Sequence, residues 1–344
     1  MSYRAGIVGC GRIGCAFDDD PRRGYVSTHA GAYQRTPGVE LVALCDLDRE
    51  KVERYGEKFR VANRYTQLER MLDEACLDVL SVCTWSPTHP EIVRKAARHG
   101  VKAIFCEKPI ADSLPEADEM IRECADHDVV LMIDHQRRFD PFHEQLAAWI
   151  RRGGLGRVQQ VTCYYTAGAA NTGSHLFDLL RFYLGDAVWV EGRGSRNASS
   201  NPADPNFDGW IGFADGSVAA LQACEVAAYL IFEIDLLGTK GRLRITTSGL
   251  TAEFEEARES ERFAGYRELY AAPLPVTSGG SSEAMLHGIA HLLKCLETGE
   301  PPISSGEDGR AALEILCGLQ QSARGEGRTI HLPLIGSSLL VRYR

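Results

Sequence analysis

Short apolar runs recur through the first 134 residues, and each gives way to a polar turn and a stretch of helical periodicity. Segments 4–8, 40–44, 79–83, 101–105 and 129–133 read as buried strands. Between them the pattern predicts a helix over about 28–35 and another opened by the capping box Thr66, Gln67, Leu68, Glu69. A third runs to about His99, and a fourth is opened by Ser113, Leu114, Pro115 and Glu116. Strands alternating with helices of this length predict an α/β domain built on a doubly wound parallel sheet.

The texture changes after Asp134. A helix is expected over about 141–152 and a strand over 158–166, followed by a glycine-bearing loop. Several strands then carry turn signals, Asp215-Gly216 and Gly238-Thr239-Lys240-Gly241, and helices close the chain over about 282–297 and 307–323. This predicts an α+β domain with a large, mostly antiparallel open sheet. The division falls at 1–134 and 135–344, with no internal repeat.

Composition narrows the class. A chain of 344 residues with 44% hydrophobic and 25% charged positions is an ordinary globular chain of two domains. A net charge of -9, with no stripe of Lys and Arg, argues against nucleic acid. No apolar run is long enough to span a membrane, and Met1 to Arg4 leads straight into a strand without a signal-peptide pattern. The 11 cysteines are odd in number and form no Cys-x-x-Cys pair; Cys45, Cys83, Cys106 and Cys163 sit in apolar runs. Reduced thiols in the cytoplasm are expected, with no disulfide or zinc framework.

The first strand leads into Gly9-Cys10-Gly11-Arg12-Ile13-Gly14. Glycines at this spacing allow a tight turn and close backbone approach, which makes Gly9, Gly11, Arg12, Ile13 and Gly14 candidates for a dinucleotide pyrophosphate. The helix that should follow is delayed by segment 17–27, which holds three consecutive Asp and Pro21; it reads as an inserted acidic loop, with a substrate lid as the alternative. Asp46 closes the second strand and suits the adenosine ribose hydroxyls. A carboxylate there repels a 2′-phosphate, so NAD is expected, with Arg49 keeping NADP as the alternative. Gly9, Asp46, Ser86 and Lys108 all fall at carboxyl ends of strands, where ligands bind on such sheets. Lys108, between Glu107 and Pro109, is therefore read as an acid/base; near apolar walls an ammonium loses solvation and its pKa falls. The plainer reading of these residues alone is a surface lysine paired with Glu107.

In the second half, Asn171 and His175 are four residues apart and would share a helix face. A first-turn histidine is kept neutral by the helix dipole and can hydrogen-bond a substrate oxygen. The alternative is a cap formed by Asn171, Thr172 or Ser174 over a buried His175. His287 and His291 share the same spacing, but Gly288 stands where a metalloprotease motif has Glu and no third ligand is evident, so they are read as structural and no metal is expected.

Taken in order, the Gly9 loop, Ser86-Pro87-Thr88-His89, Glu107-Lys108-Pro109, Arg137-Arg138-Phe139 and Gly173-Ser174-His175-Leu176-Phe177-Asp178 resemble the Gfo/Idh/MocA oxidoreductases over essentially the whole chain. The resemblance implies a Rossmann domain that binds NAD(P), with Ser86, His89, Glu107 and Lys108 among its cofactor contacts, and a second domain whose open sheet forms a homodimer or homotetramer. It implies hydride transfer at a hydroxyl or ketone carbon of a sugar, cyclitol or nucleotide sugar. Lys108 would be the acid/base before a cis-proline, His175 would orient the reacting oxygen, and Gln136 and Arg137 would lie near the substrate. Asn171 departs from the Asp that many members carry; an amide cannot take a proton at neutral pH, so the proton relay would rest on Lys108 and His175, or Asn171 would serve recognition alone. Two other readings of such a chain are an NAD-binding sensor without chemistry and a redox-neutral enzyme that uses tightly held NAD transiently.

Overall fold

The computed structural model describes residues 2–274, 276–277, 280, 283–337 and 339–341. In chain order the first half consists of β1 Tyr3–Val8, α1 His29–Arg35, β2 Val39–Cys45, α2 Arg49–Lys58, β3 Asn63–Tyr65, α3 Leu68–Glu74, β4 Val79–Val82, α4 His89–Arg98, β5 Ala103–Cys106, α5 Leu114–Asp126 and β6 Val130–Ile133. The second half holds α6 Pro141–Arg151, β7 Val158–Tyr165, α7 Ser174–Leu184, β8 Ala187–Gly194, β9 Phe207–Phe213, β10 Val218–Ala223, β11 Phe232–Gly238, β12 Gly241–Thr246, β13 Thr251–Glu259 and β14 Arg267–Ala272. It ends with α8 Ala284–Thr298, α9 Gly306–Arg324 and β15 Ile330–His331.

The first sheet is six-stranded and parallel throughout, in the order β3-β2-β1-β4-β5-β6. β4 and β5 are buried at every position, as a strand covered on both faces must be. The reversal of strand order beside β1 brings the carboxyl ends of β1 and β4 together at the place where such sheets bind ligands.

The second sheet is nine-stranded and mixed, in the order β14-β13-β12-β11-β7-β10-β9-β8-β15. Its strands pair antiparallel except for β7 and β10. Alternation is plain in β12, where Gly241, Leu243 and Ile245 are buried and Arg242, Arg244 and Thr246 are half-buried, as expected of a sheet with one packed face.

By contacts the chain forms two compact units, Met1–Asp140 with Ser282–Arg310, and Pro141–Ser281 with Ala311–Arg344. The sequence suggested an uncut division at 134/135. Instead, the segment carrying α8 returns to the first unit after the second sheet is complete. Ile289 and Leu292 join the core of Ile7, Leu44, Val79, Phe105 and Met132. Gly288 permits the close approach: a Cβ there would stand 3.1 Å from Phe139 and 3.2 Å from Phe105. An apolar stripe on a helix carries no address in sequence, so this return was invisible to periodicity. The expected start of that helix, Ser282, lies outside the described residues.

Local signals fared unevenly. Ser113 caps α5 as expected, accepting from the Glu116 N–H and donating to its carboxylate. The box at Thr66 does not form: α3 begins after Gln67 with no side-chain cap, and Glu69 instead pairs with Lys95 at 2.5 Å. No helix among the described residues is long and apolar enough to cross a membrane. All 11 cysteines are free thiols, most of them buried.

Candidate active site

The glycine loop turns immediately after β1. Gly9 has φ +99°, and a Cβ there would meet the Cys83 carbonyl carbon at 2.7 Å. A Cβ on Gly14 would stand 2.1 Å from the Gly9 oxygen. Both positions therefore require glycine. Nothing lies within 4 Å of the Cβ position of Gly11, so the backbone is open there to a ligand. Arg12 and Ile13 begin a short π-helical turn, Arg12–Ala16, in which the Cys15 and Ala16 N–H groups both donate to the Gly11 carbonyl.

Segment 17–27 is anchored rather than merely solvated. Asp18 accepts from the Ser27 N–H at 2.7 Å and from the Thr28 hydroxyl at 2.5 Å, at the start of α1. Asp19 accepts from Arg54, Tyr55 and Lys58 of α2, which hold its carboxyl below the usual range against a cost of burial.

Asp46 stands at the carboxyl end of β2. Its Oδ2 accepts from the Cys10 N–H at 2.8 Å and its Oδ1 from the Asp48 N–H at 2.9 Å. The carboxylate is thus tied to the glycine loop, with lone pairs left for two hydroxyl donors. The cradle at Gly11 and the carboxylate at Asp46 fit a dinucleotide.

Ser86 and His89 lie in and after the turn that follows β4, and both are buried. The Ser86 hydroxyl donates to Asp112. His89 Nδ1 is 3.1 Å from the Pro109 oxygen, and Nε2 is 3.1 Å from the Thr84 oxygen. His89 therefore links the loop after β4 to the loop after β5, and burial lowers its pKa. Their side chains are spent on the protein itself.

Lys108 follows β5 and precedes Pro109 through a cis peptide bond. It is half-buried, and its N–H donates to Glu107 Oε2 at 3.3 Å. The Glu107 side chain turns inward, where Oε1 meets His29 Nε2 at 3.2 Å. One oxygen of its carboxyl lies within 4.8 Å of an oxygen of Asp134 and of a ring nitrogen of His29. Burial raises the carboxyl pKa of Glu107, against the lowering influence of Asp134 and of Lys108. Gln136 donates to Asp134 Oδ2 at 3.4 Å, and Arg137 lies half-buried beside it. Arg138 is buried and structural, donating to the Ile303 oxygen at 2.9 Å and pairing with Asp308 at 3.1 Å.

In the second unit, Asn171 and His175 do not share one regular helix. Asn171 belongs to a π-helical turn, Ala169–Gly173, and His175 to the first turn of α7. No side chain caps α7. The irregularity has a local cause: Gly168 has φ +96°, and Asp204 accepts from the Ala170 N–H at 2.8 Å and the Asn171 N–H at 2.9 Å. The exposed Asn171 amide donates to the Ala167 oxygen at 3.2 Å, and His175 is half-buried.

His291 has a structural partner, since its Nε2 accepts from the Ile303 N–H at 2.9 Å. Sequence reasoning missed His29, the partnership of Asp134 with Glu107, and Asp204. Asp204, an acid in a proline-flanked loop, offered the faintest signal; His29 inside a helix offered none.

A glycine turn after the first strand and a carboxylate ending the second are the parts that a dinucleotide-binding parallel sheet presents. Residues 3–135 match the oxidoreductase family with an NAD-binding Rossmann fold, and residues 167–244 match the GFO/IDH/MocA C-terminal domain. The chain belongs to the Gfo/Idh/MocA family and is an NAD(P)-dependent dehydrogenase. It is 30% identical to D-apiose dehydrogenase of Paraburkholderia graminis over 93% of this chain and 88% of that one. It is 26% identical to myo-inositol 2-dehydrogenase of Thermotoga maritima over 90% and 93%. The fold is shared with WlbA dehydrogenase of Bordetella pertussis, solved with NADH and UDP-GlcNAcA, at a TM-score of 0.78, 23% identity and coverage of 97% and 100%.

Proposed function

We propose that the protein transfers hydride between NAD and a hydroxyl-bearing carbon of a sugar, cyclitol or nucleotide sugar. The supporting observation is Lys108 directly beyond β5, on the edge of the sheet that also carries the Gly9 turn and Asp46. Residues 1–134 are assigned to the dinucleotide, with Gly9, Gly11, Arg12, Ile13, Gly14 and Asp46 holding it and Ser86, His89 and Glu107 shaping its site. Residues 135–344 are assigned to substrate and assembly, except that Ser282–Arg310 serves the first unit, whose core α8 completes.

NAD supplies the hydride acceptor at its nicotinamide ring. In oxidation the neutral Lys108 Nζ takes the hydroxyl proton; in reduction the ammonium returns it to the oxygen. His175 orients that oxygen by a hydrogen bond, and Asn171, Gln136 and Arg137 are assigned to the remaining substrate hydroxyls. An amide at position 171 donates and accepts without titrating.

Subunit contacts are assigned to the second sheet, where Trp210 of β9, Leu237 of β11 and Leu269 of β14 are 46%, 37% and 39% exposed. Reduced buried thiols suit a cytoplasmic setting.

The test is absorbance of reduced nicotinamide with NAD and NADP offered separately. The substrates are free pentoses and hexoses, inositols and nucleotide sugars, with Lys108→Ala as control. A signal confined to one substrate class and lost in the variant supports the reading. Bound cofactor with no turnover on any class counts against it.

A further inference from the structure

Beneath the Lys108 loop lies a polar cluster inside an otherwise apolar core. His29 of α1, Ser81 of β4, Glu107 and Asp134 are all buried, as is Tyr33. Tyr33 Oη and His29 Nδ1 each lie 2.8 Å from Ser81 Oγ, and His29 Nε2 lies 3.2 Å from Glu107 Oε1 and 3.8 Å from Asp134 Oδ2. One carboxyl oxygen of Glu107 and one of Asp134 lie within 4.8 Å of each other and of a ring nitrogen of His29, and Asp134 Oδ1 is buried with no hydrogen-bond partner among the described residues. Two carboxylates offer only acceptors, so the orphaned Asp134 Oδ1 beside a second buried carboxyl is satisfied when one of the two carries a proton.

We propose that Glu107 and Asp134 share one proton at neutral pH, so that a single negative charge, steadied by a neutral His29, stands beside Lys108 and positions its amine. The functional consequence rests on Lys108 being the acid/base; the shared proton does not. Glu107 and Asp134 are positioning residues here, acting through the lysine.

The surroundings agree. Burial raises the pKa of both carboxyls, and Asp134 is raised further by the charge of Glu107. Burial lowers His29 to about 4, which leaves the imidazole neutral. The groups facing the pair are His29 and Tyr33 from α1, Ser81 and Cys83 from β4 and its end, Cys106 from β5, Lys108, and Gln136 after β6. α8, packed on β5 and β6, carries His287 and His291. The thiols of Cys83 and Cys106 are pushed far up by burial and stay neutral. Two full carboxylate charges side by side, with Lys108 the one cation among these facing groups, would repel strongly in this medium.

The experiment has two arms on the full-length protein with NAD bound. The first is infrared difference spectroscopy for a buried carboxylic-acid band at neutral pH. The proposal expects the band in the wild type, its persistence in His29→Gln, and its loss or displacement in Asp134→Asn and Glu107→Gln. No band in the wild type overturns the proposal, as does one equivalent of tightly bound metal, which the three converging donors of His29, Glu107 and Asp134 would then be holding.

The second arm is the pH profile of oxidation. Asp134→Asn confines the charge to Glu107, beside the ammonium, and should move the rising limb to higher pH. Glu107→Gln leaves the charge on Asp134, further away, and should move it to lower pH. Each shift should be about half a unit or more. Shifts in the same direction, or none, overturn the positioning role even with the band present. Lys108→Ala separates the two readings: if that variant keeps its turnover, the acid/base assignment has failed, and the shared proton is judged by the band.

Discussion

His29 Nε2 stands 3.2 Å from Glu107 Oε1, with both side chains buried and the glutamate one residue before Lys108. The reach of that contact, 78 residues in sequence, makes a helix residue part of the environment of the loop after β5. It also makes the fold sensitive to acid. Burial holds the folded imidazole at about 4 against an ordinary value of 6.5. Below pH 6.5 the unfolded chain binds a proton that the folded chain refuses. The stability contributed by this residue is therefore full above 6.5 and declines as the pH falls toward 4. Urea titrations should show wild-type stability falling relative to His29→Gln across that window, by about 3 kcal/mol in total. Parallel curves for the two proteins would refute the neutral buried imidazole.

Replacing Lys108 by Ala should reduce turnover by about 10²–10⁴-fold, the usual contribution of a positioned acid/base. Affinity for NAD, read by quenching of protein fluorescence, should change little. A variant within a few-fold of the wild type would remove the lysine from the mechanism.

Gly9 tests the cradle. Alanine there is strained by φ +99° and collides with the Cys83 carbonyl, so Gly9→Ala should destabilise the fold by about 2 kcal/mol or more and abolish measurable NAD binding. Gly11→Ala meets no protein atom within 4 Å, so its thermal midpoint should hardly move while NAD affinity falls. Unchanged affinity in Gly11→Ala would place the pyrophosphate elsewhere.

Asp46→Asn keeps an acceptor for the Cys10 N–H but loses the charge that repels a 2′-phosphate. Its preference for NAD over NADP, measured as the ratio of dissociation constants, should shrink. A ratio equal to that of the wild type would free Asp46 from the ribose.

Asp204 is buried and accepts from two successive N–H groups of the turn that carries Asn171. Bonds of this kind to a charged acceptor are worth about 1.5–3 kcal/mol each. Asp204→Ala should therefore loosen the turn, raise KM for substrate and lower kcat, while NAD affinity stays as in the wild type. A loss of NAD affinity alone would contradict the assignment of this turn to substrate.

Much of the first sheet was legible because its strands are continuous apolar runs and its helices keep a 3.6-residue period. Gly9, Asp46 and Lys108 stood out as candidates because each follows such a run, and position after a strand is a local fact. Ser86 and His89 follow the same rule, yet the structure turns both inward, toward Asp112 and toward the carbonyls of Thr84 and Pro109. The direction in which a side chain points depends on partners tens of residues away.

The sequence by itself determined the class of both sheets, the glycine turn and the place of Lys108, since these follow from periodicity and backbone sterics over a few residues. Tertiary structure alone decided that α8 completes the first core, that Asp204 bends the turn at Asn171, and that His29 and Asp134 surround Glu107. The bonds of Asp204 to Asn171 and of His29 to Glu107 join residues 33 and 78 positions apart, and α8 reaches further still. Whether a buried polar group is stable depends on what the finished fold sets beside it, and no local pattern records that.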